Sequence, residues 1–428
     1  MLIKNVKLNG KTTDILIEKN RIAKIGKCEN FKEFGAQSST ENSVIDGKGL
    51  TILPAFVDMH VHLREPGFEY KEDIESGSKA AVAGGFGTVC CMPNTKPTVD
   101  NKYIVRYIID RAKEVNLCKV LPIGAISVGL QGELMAEMGK MQEAGAIAMS
   151  DDGQPVKTTQ LMRLALEYAK QFNILLISHC EDKDLANDGV VNEGFNATKI
   201  GLKGIPSAAE DVMIARDIIL AEMLDTRVHI AHVSTKTGVQ MIREAKARGV
   251  KVTCESCPHY IAGTDDLIVG YNTMAKVNPP LREEADRQAI IKGLQDGTID
   301  VIVTDHAPHA KQDKDVEFEY AANGISGLET SFALCYTTLV DKGLLTLDEL
   351  SNLMSARPAK ILGVECGSLA VGGLADLAIV DLDEEYKIDS AKFYSKGKNT
   401  PFNGKAVKGK IKYTIVGGEL KYSEEKGL

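Results

Sequence analysis

A chain of 428 residues with 44% hydrophobic and 26% charged content can bury a full core and is long enough for more than one domain, which excludes disordered and fibrous classes. Its 51 basic and 59 acidic residues give a net charge of -8 without any block of five or six like charges, so nucleic-acid and membrane-surface roles have no electrostatic footprint. No apolar run reaches the ~18 residues that span a bilayer, the opening MLIKNVKLNG lacks the basic-then-apolar order of a secretory leader, and nine scattered cysteines are an odd number; together these predict a cytoplasmic chain with reduced thiols.

The first 52 residues read as short strands, MLIKNVKL and then TDILIEKNRIAKIG, with a tight turn at Asn9-Gly10 and a weaker one at Lys19-Asn20. From about 53 to 365, apolar β-rich runs alternate with segments of 3.6-residue apolar spacing, the pattern of βα units on a parallel sheet. Eight such runs occur: FVDMHVHL at 56, GTVCCM at 87, VLPIGAIS at 120, AIAMSDD at 146, NILLISHC at 173, RVHIAHVS at 227, KVTCESCP at 251 and DVIVTDHAP at 300. Between them TTQLMRLALEYAKQF, SAAEDVMIARDIILAEML and TGVQMIREAKARG have amphipathic helical spacing. Eight strands with helical crossovers predict an α/β fold, a closed (β/α)8 barrel of the TIM type. Further on, GSLAVGGLADLAIVDLDEEYKI and GKIKYTIVGGELKY return to β-runs broken by Gly. A few strands alone bury too little surface to be stable. Residues 1–52 and 366–428 are therefore expected to join in one small β-sandwich domain, with 53–365 as the catalytic barrel.

Only eight histidines occur, all between 60 and 309. Six of the eight runs end in polar groups: His60 and His62, Asn94, Asp151-Asp152, His179, His232 and Asp305. In such a barrel the C-terminal strand ends form the active-site face, so these groups should converge. His60 and His62, two apart on a strand, point the same way and offer two ligands for one metal. His179 and His232 would singly read as packed core histidines; a buried ring nitrogen needs a partner, and beside the first pair a metal is that partner. His229, three residues before His232, should face the opposite side, toward the barrel–helix interface. Four histidines plus carboxylates exceed what one tetrahedral site needs, which predicts two divalent ions, zinc above all. Ions roughly 3.5–4 Å apart need an anionic bridge. Asp151 or Asp152 is the candidate, although SDDG also suits a turn.

Asp305 heads TDHAPH at the barrel mouth, where a carboxylate beside a metal can act as general acid and base. His306 next to it alternates outward and is taken either as a support for the ligands or as structural. Arg64 can clamp a substrate carboxylate through two parallel hydrogen bonds, or pair with Glu65 or Glu69. Cys254 and Cys257 lack the second pair of a zinc knuckle and read as buried small hydrophobes. With no Trp and 5% aromatics there is no stacking platform, so the substrate should be small and polar.

The set DMHVHLREPG (58–67), MPNT (92–95), SDDG (150–153), SHCED (178–182), AHVS (231–234), VNPPLR (277–282) and TDHAPH with Lys314 resembles the dihydroorotases of the amidohydrolase superfamily, in their long bacterial form. The resemblance implies one zinc on His60 and His62, a second on His179 and His232, a bridging Asp152, and Asp305 as general acid/base and further ligand. It also implies that His62, Arg64, Asn94, Asn278 and His309 contact the substrate, with Asn323-Gly324 against its ring. No Lys lies between Lys140 and Lys157, where many superfamily members carry a carbamylated bridging lysine, so an aspartate bridge is implied.

The implied reaction is the reversible cyclisation of N-carbamoyl-L-aspartate to L-dihydroorotate and water in pyrimidine biosynthesis, by a hydroxide that two metals activate. The rivals are a hydantoinase or dihydropyrimidinase, and an inactive scaffold for aspartate transcarbamoylase. A homodimer and an association with aspartate transcarbamoylase are the partners considered. Finally, AKQDKDVEFEYAANGISG after His309 is charged and aperiodic, and is expected to be a lid. Gly324 and Gly327 would be its hinges, with Lys311, Asp313, Lys314, Asp315, Glu317 and Glu319 held in solvent when it opens.

Overall fold

The computed structural model describes residues 1–28, 44–365 and 368–428. Asn9 (φ 48°) and Gly10 (φ 74°) both take left-handed backbone, the hairpin geometry that matches strand twist, and fold Leu2–Leu8 back on Lys11–Glu18. Lys19 (φ 55°) turns the chain again into Arg21–Ile25. Thr51–Pro54 runs parallel to Leu2–Leu8 and antiparallel to Leu377–Lys387, and Ala406–Val416 and Glu419–Ser423 continue the sheet. With Val44–Asp46 paired to Leu2–Leu8, both chain ends make one eight-stranded sheet, whose Ile3, Ile15, Ile52, Leu377, Ile379 and Ile415 form a core of their own. The expected division at 366 falls on Cys366 and Gly367, outside the described residues.

All eight apolar runs of the central segment are strands of a second sheet: Phe56–Val61, Phe86–Cys91, Lys119–Gly124, Ala148–Ser150, Leu176–Ser178, Val228–Ile230, Val252–Ser256 and Val301–Ile302, parallel and adjacent in chain order. Parallel strands covered on both faces need no polar alternation, hence their unbroken apolar character. A bridge between Val61 and His306, with the His62 N–H donating to the His306 carbonyl at 2.8 Å, joins the eighth strand to the first and closes the barrel. The expected helices are Thr159–Phe172, Ala208–Leu224 and Lys236–Ala247. In the first of these, the Thr158 hydroxyl accepts from the Leu161 N–H (3.1 Å), and Leu161, Met162, Ala165, Leu166 and Ala169 are buried. Left-handed Asn173 (φ 53°) caps its C-terminus, so the run NILLISHC is shared: Asn173 caps the helix and the fifth barrel strand begins at Leu176.

An ion pair between Lys119 and Asp376 (2.5 Å) and a hydrogen bond from the Thr414 hydroxyl to the Val82 carbonyl (2.6 Å) fasten the terminal sheet to the barrel. At that junction the Phe56 ring stacks on Phe332 (5.2 Å) and meets Phe86 edge-on (5.5 Å), all three buried. Phe56→Ala should lower stability by about 3–5 kcal/mol, the range for truncating a buried aromatic. The measurement is the urea midpoint of unfolding, and an unchanged midpoint would show that the cluster does not stabilise the fold.

Candidate metal centre and active site

Four residues at the barrel mouth leave their strands through left-handed backbone: Arg64 (φ 62°), Asp152 (49°), His232 (30°) and Asp305 (46°). Non-glycine residues in this region cost on the order of 1–3 kcal/mol each, and their concentration at one face marks a site that the surroundings hold in place. His60 within the first barrel strand and His62 just past its end present their rings 5.5 Å apart.

The His60 Nδ1–H donates to Glu255 Oε1 (2.7 Å), which leaves the lone pair on Nε2. That atom is buried without a hydrogen-bond partner, 3.3 Å from Asp152 Oδ1 and 3.5 Å from Asp305 Oδ1. His62 repeats the arrangement: its Nδ1 meets Asn94 Oδ1 and its Nε2 meets Asp305 Oδ1, both at 3.0 Å. The Asn94 amide then donates to Asp152 Oδ2 at 2.6 Å. Opposite, His179 Nδ1 and His232 Nε2 lie 2.9 Å apart, and His232 Nδ1 is buried with no partner. Asp151 points elsewhere, accepting from the Ile126 and Ser127 N–H groups (2.8 Å each) and the Ser127 hydroxyl (2.5 Å). Of the two aspartates in SDDG, Asp152 is the one that meets the histidines.

These groups fit divalent ions. The nitrogens of His60 and His62 and an Asp152 oxygen lie within 4.8 Å of one another. Two nitrogens bound to one tetrahedral zinc at ~2.0–2.1 Å stand roughly 3.3 Å apart, so the His179–His232 pair needs only a slight parting. Burial alone would lower His60, but Glu255, Asp152 and Asp305 outweigh it and hold the imidazole well above its ordinary value. Burial likewise pushes Asp152 and Asp305 up, and the surrounding imidazoles overcome it, leaving both carboxyls well below the usual range. The field between these side chains thus favours positive charge, which a divalent cation supplies as well as protons do. Burial, then His179 and His60, push His232 down to about 3, the neutral state a ligand needs.

Above the cluster is a cavity of about 250 Å³. His62, Arg64, Asn94, Asp152, His179, His232, Asn278, Asp305, His309, Asn323 and Gly324 all line it, with His60 buried beneath. Arg64 is buried and pairs with neither Glu65 nor Glu69. Its Nε donates to the Pro308 carbonyl (3.3 Å), whereas Glu65 accepts from the Ile74 N–H (2.8 Å) and Tyr107 (2.7 Å), and Glu69 from the Gly67 N–H (2.7 Å). The His309 Nε2–H donates to the Asn323 carbonyl (2.8 Å), and its Nδ1 accepts from Lys71 (3.3 Å). Asn278 donates to Glu181 at 3.3 Å. The Gly324 N–H and carbonyl are already engaged, by Lys276 O (2.9 Å) and by the Asn399 amide (2.9 Å).

Three expectations change. His229 does not sit at the helix interface. Its Nε2 lies 3.0 Å from Glu255 Oε2 and its Nδ1 2.7 Å from Thr253 Oγ1, so Glu255 joins it to His60. The left-handed turn at His232 interrupts the alternation from which the opposite facing was counted. Lys314 is not solvated: it is 1% exposed, its ammonium surrounded by main-chain carbonyls, while Lys311, Asp315, Glu317 and Glu319 are exposed and Asp313 is half-buried. A Cβ on Gly324 would stand 2.6 Å from the Ala307 carbonyl oxygen, so close packing, in addition to its φ of 147°, calls for glycine there. Glu255 and Glu181 were missed, although a carboxylate inside the apolar run KVTCESCP is itself a signal. His306 is structural as expected, with Nε2 3.3 Å from Glu72 and Nδ1 accepting from the Gly327 N–H (3.1 Å).

A family model described as dihydro-orotase-like matches residues 49–238. The chain is 52% identical over 412 residues to a dihydroorotase of Acetivibrio thermocellus, covering 96% of this chain and 95% of that protein. It is 53% identical over 409 residues to a dihydroorotase of Pelobacter propionicus, with the same coverage. Among solved structures, an L-hydantoinase (dihydropyrimidinase) from Arthrobacter aurescens superposes with a TM-score of 0.85 at 27% identity, covering 98% of this chain and 95% of that one. A dihydropyrimidinase from Brevibacillus agri gives 0.80 at 22%, covering 98% and 94%, a likeness of fold. With more than half of its residues shared along nearly its whole length with these dihydroorotases, the chain belongs to the dihydroorotase family.

Proposed function

We propose that this cavity interconverts N-carbamoyl-L-aspartate and L-dihydroorotate with release or uptake of water, a step of pyrimidine biosynthesis, on two zinc ions. The observation that carries the reading is the buried Arg64 guanidinium, without a carboxylate partner among the described residues, in the wall of a cavity floored by the histidine–aspartate cluster. A small carboxylate-bearing amide answers both. The hydantoinase folds favour a dihydropyrimidinase reading, but its uncharged substrates leave Arg64 unmatched. Turnover of dihydroorotate against dihydrouracil separates the two.

His60 and His62 would hold one ion and His179 and His232 the other, with Asp152 between them and Asp305 as a further ligand. Bound there, zinc supplies Lewis acidity toward the amide carbonyl and a nucleophile at neutral pH. Glu255 and Asn94 take the Nδ1–H of His60 and His62, turning each Nε2 lone pair to the centre. Asp305, which His62 reaches at 3.0 Å, would take the proton of the oxygen nucleophile as it attacks the ring carbonyl and deliver it to the ring nitrogen as the C–N bond breaks; cyclisation reverses both transfers. Arg64 holds the substrate carboxylate with the second amide N–H of Asn94, and His62, Asn278, His309, Asn323 and Gly324 surround the rest.

The division into 1–52 with 366–428 and a barrel of 53–365 belongs to the same proposal, supported by a separate core in each sheet. No described helix is long and apolar enough to cross a membrane. A cytoplasmic setting, a homodimer and association with aspartate transcarbamoylase complete the reading.

Arg64→Lys should raise KM for dihydroorotate about 10- to 100-fold, because an ammonium cannot reproduce the guanidinium fork and a charged hydrogen bond is worth ~1.5–3 kcal/mol. Steady-state kinetics with an unchanged KM would remove Arg64 from the site. Asp152→Ala should lose bound zinc and turnover together. Asp151→Ala should keep the zinc and instead lower the melting temperature, since it strands three buried donors at about 1–3 kcal/mol each. Metal analysis beside thermal melts decides, and the reverse pattern would exchange the two roles. Chelation should abolish turnover and zinc restore it; full activity at one equivalent would overturn the two-ion assignment.

A further inference from the structure

Two lysines without a carboxylate partner among the described residues lie buried beneath the segment that ends in Asn323-Gly324. Lys314 is 1% exposed, and its Nζ donates to the carbonyls of Ala322 (2.7 Å), Gly324 (3.1 Å) and Lys276 (3.2 Å). Lys276 is 4% exposed. Its Nζ donates to the carbonyls of Phe318 and Glu319, both at 2.8 Å, and lies 5.6 Å from the centre of the Phe318 ring. A buried ammonium with no counter-ion is costly. Burial pushes Lys314 down to about 7 and Lys276 to about 8.

The placement of the acceptors shows what offsets that cost. Ala322 and Gly324 flank Asn323, and Lys276 precedes Asn278 by two residues, so the three carbonyls on Lys314 belong to the two stretches that carry Asn278, Asn323 and Gly324. The Gly324 N–H closes the same junction on the Lys276 carbonyl (2.9 Å). Three ammonium donors in a tetrahedral fan can each take a different strand of chain, which neither an amide nor a hydroxyl can do. Neither lysine lines the cavity. Between them the segment is thinly anchored: Asp315, Val316, Glu317, Glu319 and Tyr320 are exposed, and Phe318 and Ala321 are its buried residues. Freed carbonyls there would find water, so losing the ammonium should loosen the segment rather than unfold the barrel.

We propose that Lys314, with Lys276 behind it, is a positioning residue that sets the site's affinity for dihydroorotate by locking Asn323-Gly324 against the Asn278 stretch. The idea rests on the cavity being the dihydroorotate site. It replaces a freely swinging lid by a clamped one whose ring contacts are prearranged.

The test is steady-state kinetics of the full-length, zinc-loaded enzyme as Lys314→Met and Lys276→Met, with hydrogen exchange across 315–324, metal content and melting temperature measured alongside. Methionine keeps much of the stem volume and removes every donor. Lys314→Met should raise KM for dihydroorotate 10-fold or more with kcat within about 3-fold, faster exchange in 315–324 and unchanged zinc; Lys276→Met should shift the same quantities less. Should Lys314→Met fail to fold, Lys276→Met carries the same expectation with at least a 3-fold rise in KM. A wild type that does not turn over dihydroorotate would sink the reading of the cavity. An active wild type whose foldable variants keep their KM would sink the clamp alone. So would a fall in kcat that follows lost zinc, because the lysines would then be supporting the metal centre and not the ring contacts.

Discussion

The site depends on the seam where the eighth barrel strand meets the first. Asp58, fully buried, accepts from the His60 N–H at 3.0 Å and from the Thr304 N–H at 3.1 Å, so one carboxylate fixes both strands just below the mouth. Above it the His62 N–H meets the His306 carbonyl. These bonds set the register that brings Asp305 within 3.0 Å of His62. A parallel pair slipped by one residue would turn every side chain beyond the seam to the other face and take Asp305 away from the histidines.

Upon that seam the protein gathers charge that an ordinary core would exclude. Glu255, with no exposed surface, is acceptable because His60 and His229 both reach it; Glu72, equally buried, is met by His306, the Ser395 hydroxyl and the Lys396 N–H. Each carboxylate has partners on at least two elements, so removing either would leave several buried groups unpaired at once. The same network reaches two of the four left-handed residues at the mouth: Asp152 is held through Asn94, and Asp305 through His62. Strain and unpaired ring nitrogens persist where the surrounding network leaves them no alternative.

This explains what could be read from the sequence and what could not. Buried parallel strands announce themselves as unbroken apolar runs, and a histidine or aspartate at the end of such a run can hardly point anywhere but the mouth; His60, His62, His179, His232 and Asp305 were legible on that ground. Side-chain direction beyond the strand ends was not. Once His232 or Asp152 leaves β geometry, counting alternate residues fails, which misplaced His229 and left Asp151 and Asp152 undivided. Lys314 was opaque for another reason. A lysine in a charged stretch looks solvated, and nothing local shows that two carbonyls from the far end of its own segment and a third from Lys276 will close around its ammonium. The division of NILLISHC at Asn173 was similarly hidden, because a helix cap and the start of a strand share one apolar run.

The likeness to hydantoinases, a TM-score of 0.85 at 27% identity, indicates where selectivity must reside. If two enzymes of one barrel act on different cyclic amides, the barrel cannot be what distinguishes their substrates. Under the proposed reading the distinction lies in groups that would not ligate a metal: Arg64 on the loop after the first strand, Asn278 after the seventh, and His309 with Asn323-Gly324 after the eighth. Each is held from outside the barrel sheet. Asn399, in the chain's last segment, accepts from the His309 N–H (2.9 Å) and donates to the Ala307 and Gly324 carbonyls (3.0 and 2.9 Å), while Lys314 grips Gly324 from the other side. On that reading the barrel strand ends carry the proposed metal ligands, while Asn399 and Lys314, which touch none of them, meet at the Gly324 carbonyl.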